Sequence, residues 1–117
     1  MDMAYQEFEK LKKENERLDK EARRDSLTGL LNRGATENRV NELLQQPEGG
    51  AMLVSDLDNF KGINDRYGHI VGDQLLQKTA QLLGYMTRRG DVLGRVGGDE
   101  FLIAFNGLNQ NQAAHVI

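Results

Sequence analysis

The 117-residue chain has no cysteine, so it can build no disulfide framework and perform no thiolate chemistry. That absence leaves the compartment open while fitting a reducing cytosol. Positive charge is not in excess: 15 Lys and Arg stand against 18 Asp and Glu, a formal net charge of −3. This balance argues against nucleic acid as a partner. No apolar run approaches the ~20 residues of a membrane span, and no signal-peptide pattern opens the sequence. The chain is therefore expected to be soluble as given, any anchor lying outside it. What remains is a charged stretch of about 25 residues and roughly 90 residues for one domain with a modest core.

Residues 1–24 contain neither Gly nor Pro. Met1, Ala4, Phe8, Leu11, Asn15, Leu18 and Ala22 recur at alternating spacings of three and four, the a/d seam of a coiled coil. Asn15 falls at an a position, where a buried polar residue favours a paired, in-register dimer. The pattern predicts a helix that pairs in parallel with a second copy. A solvated single helix is the alternative, since so short a seam with two alanines is marginal alone.

A Gly-, Ser- and Asn-containing loop over residues 25–34 separates this helix from a second one around Ala35 to Gln46. Val40, Leu43 and Leu44 are expected on one face of the second helix. Pro47, the single proline, and Gly49-Gly50 end it. Ala51 to Val54 reads as a buried strand running into Asp56-Leu57-Asp58. Residues 59–71 read as a loop or short helical piece. A further helix spans about Asp73 to Arg88, with Asp73 as N-cap and Leu75, Leu76, Leu82, Leu83 and Met86 as its stripe. Val92 to Val96 and Phe101 to Phe105 are β-rich runs joined by Gly97-Gly98, which reads as a tight hairpin. Ala113 to Ile117 looks like a helix that has barely begun. This order predicts an α/β domain, a mixed sheet with flanking helices, cut short before a last strand that would cover the first strand's edge. Residues 52–54 are then expected to be partly uncovered.

Asp56 stands where an apolar strand ends, the usual position of ligands in open α/β sheets. Taken alone it could be a cap. Asp99 and Glu100 follow the glycines of the hairpin. If that hairpin lies beside the first strand, three carboxylates converge and repel unless a divalent cation relieves them. Two metals there could activate an attacking oxygen and stabilise a leaving pyrophosphate. Backbone N–H groups of Asn59-Phe60-Lys61 can cradle phosphate, with Lys61 as a cationic supplement, although a lone Lys is as readily a solvated surface residue. Asn64 and Asp73 could read a base, a carboxylate taking two N–H donors and so favouring guanine over adenine. They could equally be a turn residue and a helix cap.

Taken together these residues resemble a known family. Asp56-Leu57-Asp58-Asn59-Phe60-Lys61-Gly62-Ile63-Asn64-Asp65, Gly68-His69, Gly72-Asp73 and Gly97 to Phe101 are similar to the motifs of GGDEF-domain diguanylate cyclases. Asp25 to Arg33 resembles the motif that opens that domain, so the likeness covers residues 23–117. It implies an α+β sandwich of ferredoxin-like, nucleotidyl-cyclase-like kind, incomplete at its C-terminus. The expected division is a pairing helix over 1–24 and a catalytic domain over 25–117.

By resemblance, Asp56, the Leu57 carbonyl, Asp99 and Glu100 hold Mg²⁺ or Mn²⁺, two ions per site. Asp56, Asp99 and Glu100 are the catalytic carboxylates, and loss of Glu100 is the most damaging. Asn64 and Asp73 bond guanine, Leu30 and Phe60 line the base pocket, and Asn59, Phe60, Lys61, Gly97 and Gly98 surround the phosphates of GTP. Arg88 and Asp91 match an inhibitory product site of Arg-x-x-Asp form, for which an Arg fork and an Asp suit guanine. A charged turn is the plain alternative. The implied reaction joins two GTP into cyclic di-GMP with release of two pyrophosphates, across two facing domains. The implied setting is a bacterial cytoplasm with a sensor domain upstream. The family continues past Ile117 with another strand and a helix bearing cationic phosphate ligands. A weak or inactive GTP- or cyclic di-GMP-binding module, or a dimerisation scaffold, is therefore the alternative.

Overall fold

The computed structural model describes residues 3–107. Met1 of the heptad seam and the helical start expected at 113–117 lie outside them. Seven elements follow in order: α1 (Met3–Arg23), α2 (Arg33–Leu44), β1 (Gly50–Asp56), α3 (Phe60–Tyr67), α4 (His69–Met86), β2 (Val92–Arg95) and β3 (Glu100–Asn106).

The three strands form one sheet in the order β1-β3-β2, with both pairings antiparallel. β1 and β2 therefore run in the same direction on either side of β3, joined through α3 and α4: a split βαβ unit closed by a hairpin. A parallel contact is added where Leu31 bridges Gly94, and Arg24 pairs antiparallel with Leu31. The domain-opening loop is thereby attached to the outer side of β2.

The register assigns the two faces. Ala51, Leu53, Ile103 and Phe105 share one face and pack with Leu83 and Met86 of α4. Phe101 continues that face against Leu76 and Ala80. Val92 and Ala104 point the other way, against Val40 and Leu43 of α2. Two features of the expected helix stripes are corrected. Leu82 is 55% exposed and Ala80 is buried instead, because 76, 80 and 83 follow the helical spacing and 82 falls off it. Leu44 is also turned outward, and Thr36 takes its place as the fully buried residue of α2. Thr36 seats α2 tightly: a Cβ at Gly94 of β2 would come within 1.7 Å of its hydroxyl oxygen.

α2 covers β2 and part of β3 and reaches β1 at its first residue, Gly50, where Leu43 lies close. Met52 and Val54, on the α2 side of β1, are 53% and 58% exposed, as the uncovered edge predicts. α1 buries no residue of its own; Phe8 and Leu11 are each 63% exposed. Ion pairs run along the helix, Arg17 with Glu14 and Glu21 and Arg23 with Asp19, and Asn32 donates to the Ala22 and Arg23 carbonyls at its end.

Candidate active site

β1 ends at Asp56, and the register sets it directly opposite Glu100, the first residue of β3. Opposed residues of an antiparallel pair project from the same face, so the exposed Asp56 and Glu100 side chains leave one face of the sheet side by side. Backbone bonds fix the turn beside them: Leu57 N–H donates to the Asp99 carbonyl at 3.2 Å and Val96 N–H to the Glu100 carbonyl at 2.9 Å. The expected convergence of three carboxylates is not preformed. Among the described residues no three Asp, Glu or His side chains are grouped closely enough to hold a metal ion. Asp99 lies in the turn one residue before Glu100 enters the strand, and its carbonyl accepts from Leu57 beside Asp56. Asp56 and Glu100 on one face form a donor set that suits a magnesium-type ion. Such an ion takes one or two carboxylates and fills its shell with water and phosphate oxygens.

The glycines of the turn supply space. Neither Gly97 nor Gly98 adopts the left-handed backbone of a two-residue hairpin, and the connection runs over residues 96–99. A Cβ on Gly97 would lie 3.1 Å from the Glu100 carboxyl carbon, so this glycine lets Glu100 fold back over the turn. A Cβ on Gly98 would meet nothing within 4 Å, so the outer side of the turn is open there.

Next to Asp56, Asn59 is the one non-glycine with positive φ among the described residues, at 55°. Left-handed backbone at a non-glycine residue concentrates at functional sites, and Asn tolerates it best. It makes the sharp entry into α3, whose first bond runs from Ile63 N–H to the Asn59 carbonyl at 3.0 Å. The amides of the first turn, Phe60 and Lys61 among them, have no acceptor within the helix and carry its positive dipole end. The Lys61 side chain is exposed beside them.

Phe60 and Leu30, from two distant segments, pack on the same cluster of Leu76, Ala80 and Phe101. Beyond them lies Asn64, whose Oδ1 is buried without a hydrogen-bond partner. Asp73 is brought near it because Gly72 packs against the Asn64 carboxamide. Asp73 is not the N-cap of its helix. α4 begins at His69 after Gly68 at φ 89°, which places Asp73 inside the helix, exposed and relieved of capping.

A family model described as "Diguanylate cyclase, GGDEF domain" matches residues 22–117. The chain belongs to this family. It is 35% identical to diguanylate cyclase VdcA of Vibrio cholerae over 88% of its length, and 39% identical to cyclic di-GMP phosphodiesterase PdeR of Escherichia coli over 82%. These matches span only 30% and 15% of those two proteins. Among solved structures it is similar to the coiled coil and GGDEF domain of DgcB from Caulobacter crescentus in complex with c-di-GMP. The TM-score there is 0.90 at 29% identity, over 97% of this chain and 61% of that one.

In this GGDEF domain the Arg88 and Asp91 pair is built into the fold. The Asp91 side chain is fully buried and accepts from the Arg88 N–H at 2.7 Å and the Asn106 N–H at 2.8 Å. The half-exposed Arg88 guanidinium bonds Asp91 Oδ1 at 3.2 Å and the Asn106 carbonyl at 2.6 Å. The pair thus ties the α4–β2 turn to the end of β3.

A second ion pair carries a connection that sequence reasoning missed. Arg95 of the GGDEF hairpin donates to the Gly98 carbonyl at 2.7 Å and to both Asp25 oxygens at 3.2 Å. Asp25, just after α1, also accepts from the Thr28 N–H and hydroxyl at 2.8 and 2.7 Å. Burial pushes its carboxyl up, but the Thr28 bonds and the Arg95 guanidinium outweigh this and hold it below the usual aspartate range. The available signal was local: Asp-x-x-Thr is a side-chain-capped turn, and Arg95 stands two residues before the glycines.

Proposed function

We propose that this chain is the catalytic domain of a diguanylate cyclase, residues 25–117, carried on a pairing helix, residues 1–24. The observation that carries the reading is Asp56 opposite Glu100 at the carboxyl end of β1, next to the left-handed entry into α3. On this reading the amides at Asn59, Phe60 and Lys61 and the open side of Gly97-Gly98 take the triphosphate. Leu30 and Phe60 flank the base, the Asn64 carboxamide and Asp73 carboxylate bond its edge, and Asp56, the Leu57 carbonyl, Asp99 and Glu100 surround the reacting phosphate. Divalent cations bound there, Mg²⁺ or Mn²⁺, would polarise the α-phosphate and stabilise the departing pyrophosphate.

The ribose 3′-hydroxyl of one GTP gives up its proton to solvent as its oxygen bonds the α-phosphorus of the other, the α–β anhydride breaks, and pyrophosphate leaves. The second half-reaction repeats this with the roles exchanged. A single domain presents one such site, so two must face each other. The seam Ala4, Phe8, Leu11, Asn15, Leu18 and Ala22 supplies the second copy by raising its effective concentration. Its exposed Phe8 and Leu11 and the coiled coil named in the DgcB structure support that role. Chromatographic detection of cyclic di-GMP after incubation with GTP and Mg²⁺ tests the reading: product that disappears with Glu100→Ala is expected. No product from folded dimer would sink it for this chain.

A second reading is a binding module without turnover, favoured by the likeness to PdeR, a protein named for hydrolysis of cyclic di-GMP. Here Arg88 and Asp91 would receive cyclic di-GMP, and the same two residues would serve product inhibition in the cyclase. Because Asp91 is spent on internal bonds, recognition would fall chiefly to the half-exposed Arg88 guanidinium. Cyclic di-GMP affinity that survives Arg88→Ala would exclude this site.

A further inference from the structure

Gly72 is buried in the first turns of α4, one residue before Asp73. Its backbone is helical and not left-handed, so glycine is not required there for conformation. Inside a helix glycine is a poorer choice than alanine. What a side chain would meet explains the choice. A Cβ at Gly72 would lie 1.8 Å from Asn64 Oδ1 and 2.9 Å from its carboxamide carbon, with Phe60 Cζ at 3.4 Å. The obstacle is the end of a flexible side chain, which yields more readily than backbone. The same helix offers an internal contrast: at Gly84 a Cβ would meet nothing within 4 Å.

We infer that Gly72 is a positioning residue for base recognition: its missing Cβ seats the Asn64 carboxamide where its oxygen can accept from the 2-amino group of guanine. This rests on the reading of Asn64 as a base ligand. Asn64 Oδ1 is buried and has no donor within the protein, the condition of an acceptor that a ligand completes. Asp73 follows Gly72 directly and supplies the carboxylate for the neighbouring N–H of the same base edge. Adenine lacks both donors at these positions, and hypoxanthine keeps N1–H while lacking the 2-amino group. A methyl group at 72 leaves the helix intact and evicts the carboxamide, so the loss falls on discrimination before it falls on folding.

The test compares binding of 3′-deoxy-GTP and 3′-deoxy-ITP, which lack the attacking hydroxyl, to this chain with Mg²⁺. The proteins are wild type, Asn64→Ala, Gly72→Ala, Gly84→Ala and the Gly72→Ala/Asn64→Ala double variant. Wild type and Gly84→Ala should prefer the guanine nucleotide by about tenfold, the scale of one hydrogen bond left unmade in a buried site. Asn64→Ala and Gly72→Ala should both bring the ratio near one, with the Gly72→Ala melting temperature not below wild type. A wild-type ratio in Gly72→Ala beside a lost one in Asn64→Ala overturns the inference and leaves the Asn64 reading standing. A ratio unchanged by Asn64→Ala, or no binding by wild type, overturns that reading and the inference with it. Should Gly72→Ala unfold, the double variant decides. Recovery of folding when Asn64 is truncated supports the inference; continued unfolding means the helix packing itself demands glycine, and overturns it.

Discussion

α1 and α4 are the two long helices of this chain, 21 and 18 residues, and they use their apolar residues in opposite ways. α4 spends Leu76, Ala80 and Leu83 on the sheet. α1 buries nothing, and its Phe8, Leu11 and Leu18 stay in water. A helix stabilised by tertiary packing needs only its own chain, whereas a short exposed amphipathic helix is marginal until its stripe is covered. The sheet region therefore covers the stripe of its own long helix, whereas the arm leaves its stripe for a partner, which on the proposed function is a second copy. Catalysis would need both, and damage to each should behave differently.

Glu100→Ala should have the largest effect. Loss of a carboxylate at the reacting phosphate is expected to lower cyclic di-GMP synthesis by at least ~10²-fold, at every protein concentration. Leu11→Ala in the arm should also lower synthesis, but raising protein concentration should restore it, since only pairing is weakened. Initial rates over a concentration series separate the two. A Leu11→Ala defect that ignores concentration would break the comparison.

Phe101→Ala comes next. Phe101 is 1% exposed between Leu76 and Ala80, so truncation should cost about 3–5 kcal/mol in denaturant unfolding. Leu11→Ala should leave the unfolding of the sheet region unchanged.

Asp25 joins the two regions, and its carboxyl is held below the ordinary range. A depressed folded pKa contributes stability that is present above the unfolded value, about 3.9, and is lost as pH falls through the folded value. Thermal unfolding against pH should show that loss in the wild type on acidification below about pH 4. Asp25→Asn should flatten it, while costing about 1–2 kcal/mol at neutral pH through its lost charged hydrogen bonds. An unchanged acid limb would show that Arg95 and Thr28 do not depend on the Asp25 charge.

The smallest effect belongs to Gly84→Ala. With open space and helical backbone at that position, alanine should stabilise α4 by about 0.5–1 kcal/mol, and a melting curve suffices to read it.

Local pattern made much of this legible. Pro47 and Gly49-Gly50 end α2, the run from Ala51 leads into Asp56, and Gly97-Gly98 lies between two strands as expected. Asp73 does not cap α4, because Gly68-His69 starts the helix four residues earlier, a choice made by chain entry from α3. Leu82 and Ala80 exchanged places because the sheet, not hydrophobicity alone, selects which helical face is covered. Asp25 with Arg95, and Gly72 with Asn64, were beyond reach because each pair is separated in sequence and joined only by packing.

The sequence by itself determined the elements, their order and the chemistry at hand, since periodicity, turn residues and motif spacing are local properties of a chain. Tertiary structure alone decided that β3 lies between β1 and β2, which sets Asp56 against Glu100 and joins the Asp99 carbonyl to Leu57. It also decided that a missing methyl group at Gly72 makes room for Asn64. Strand register and close approach are relations between distant segments, fixed only when the core is packed.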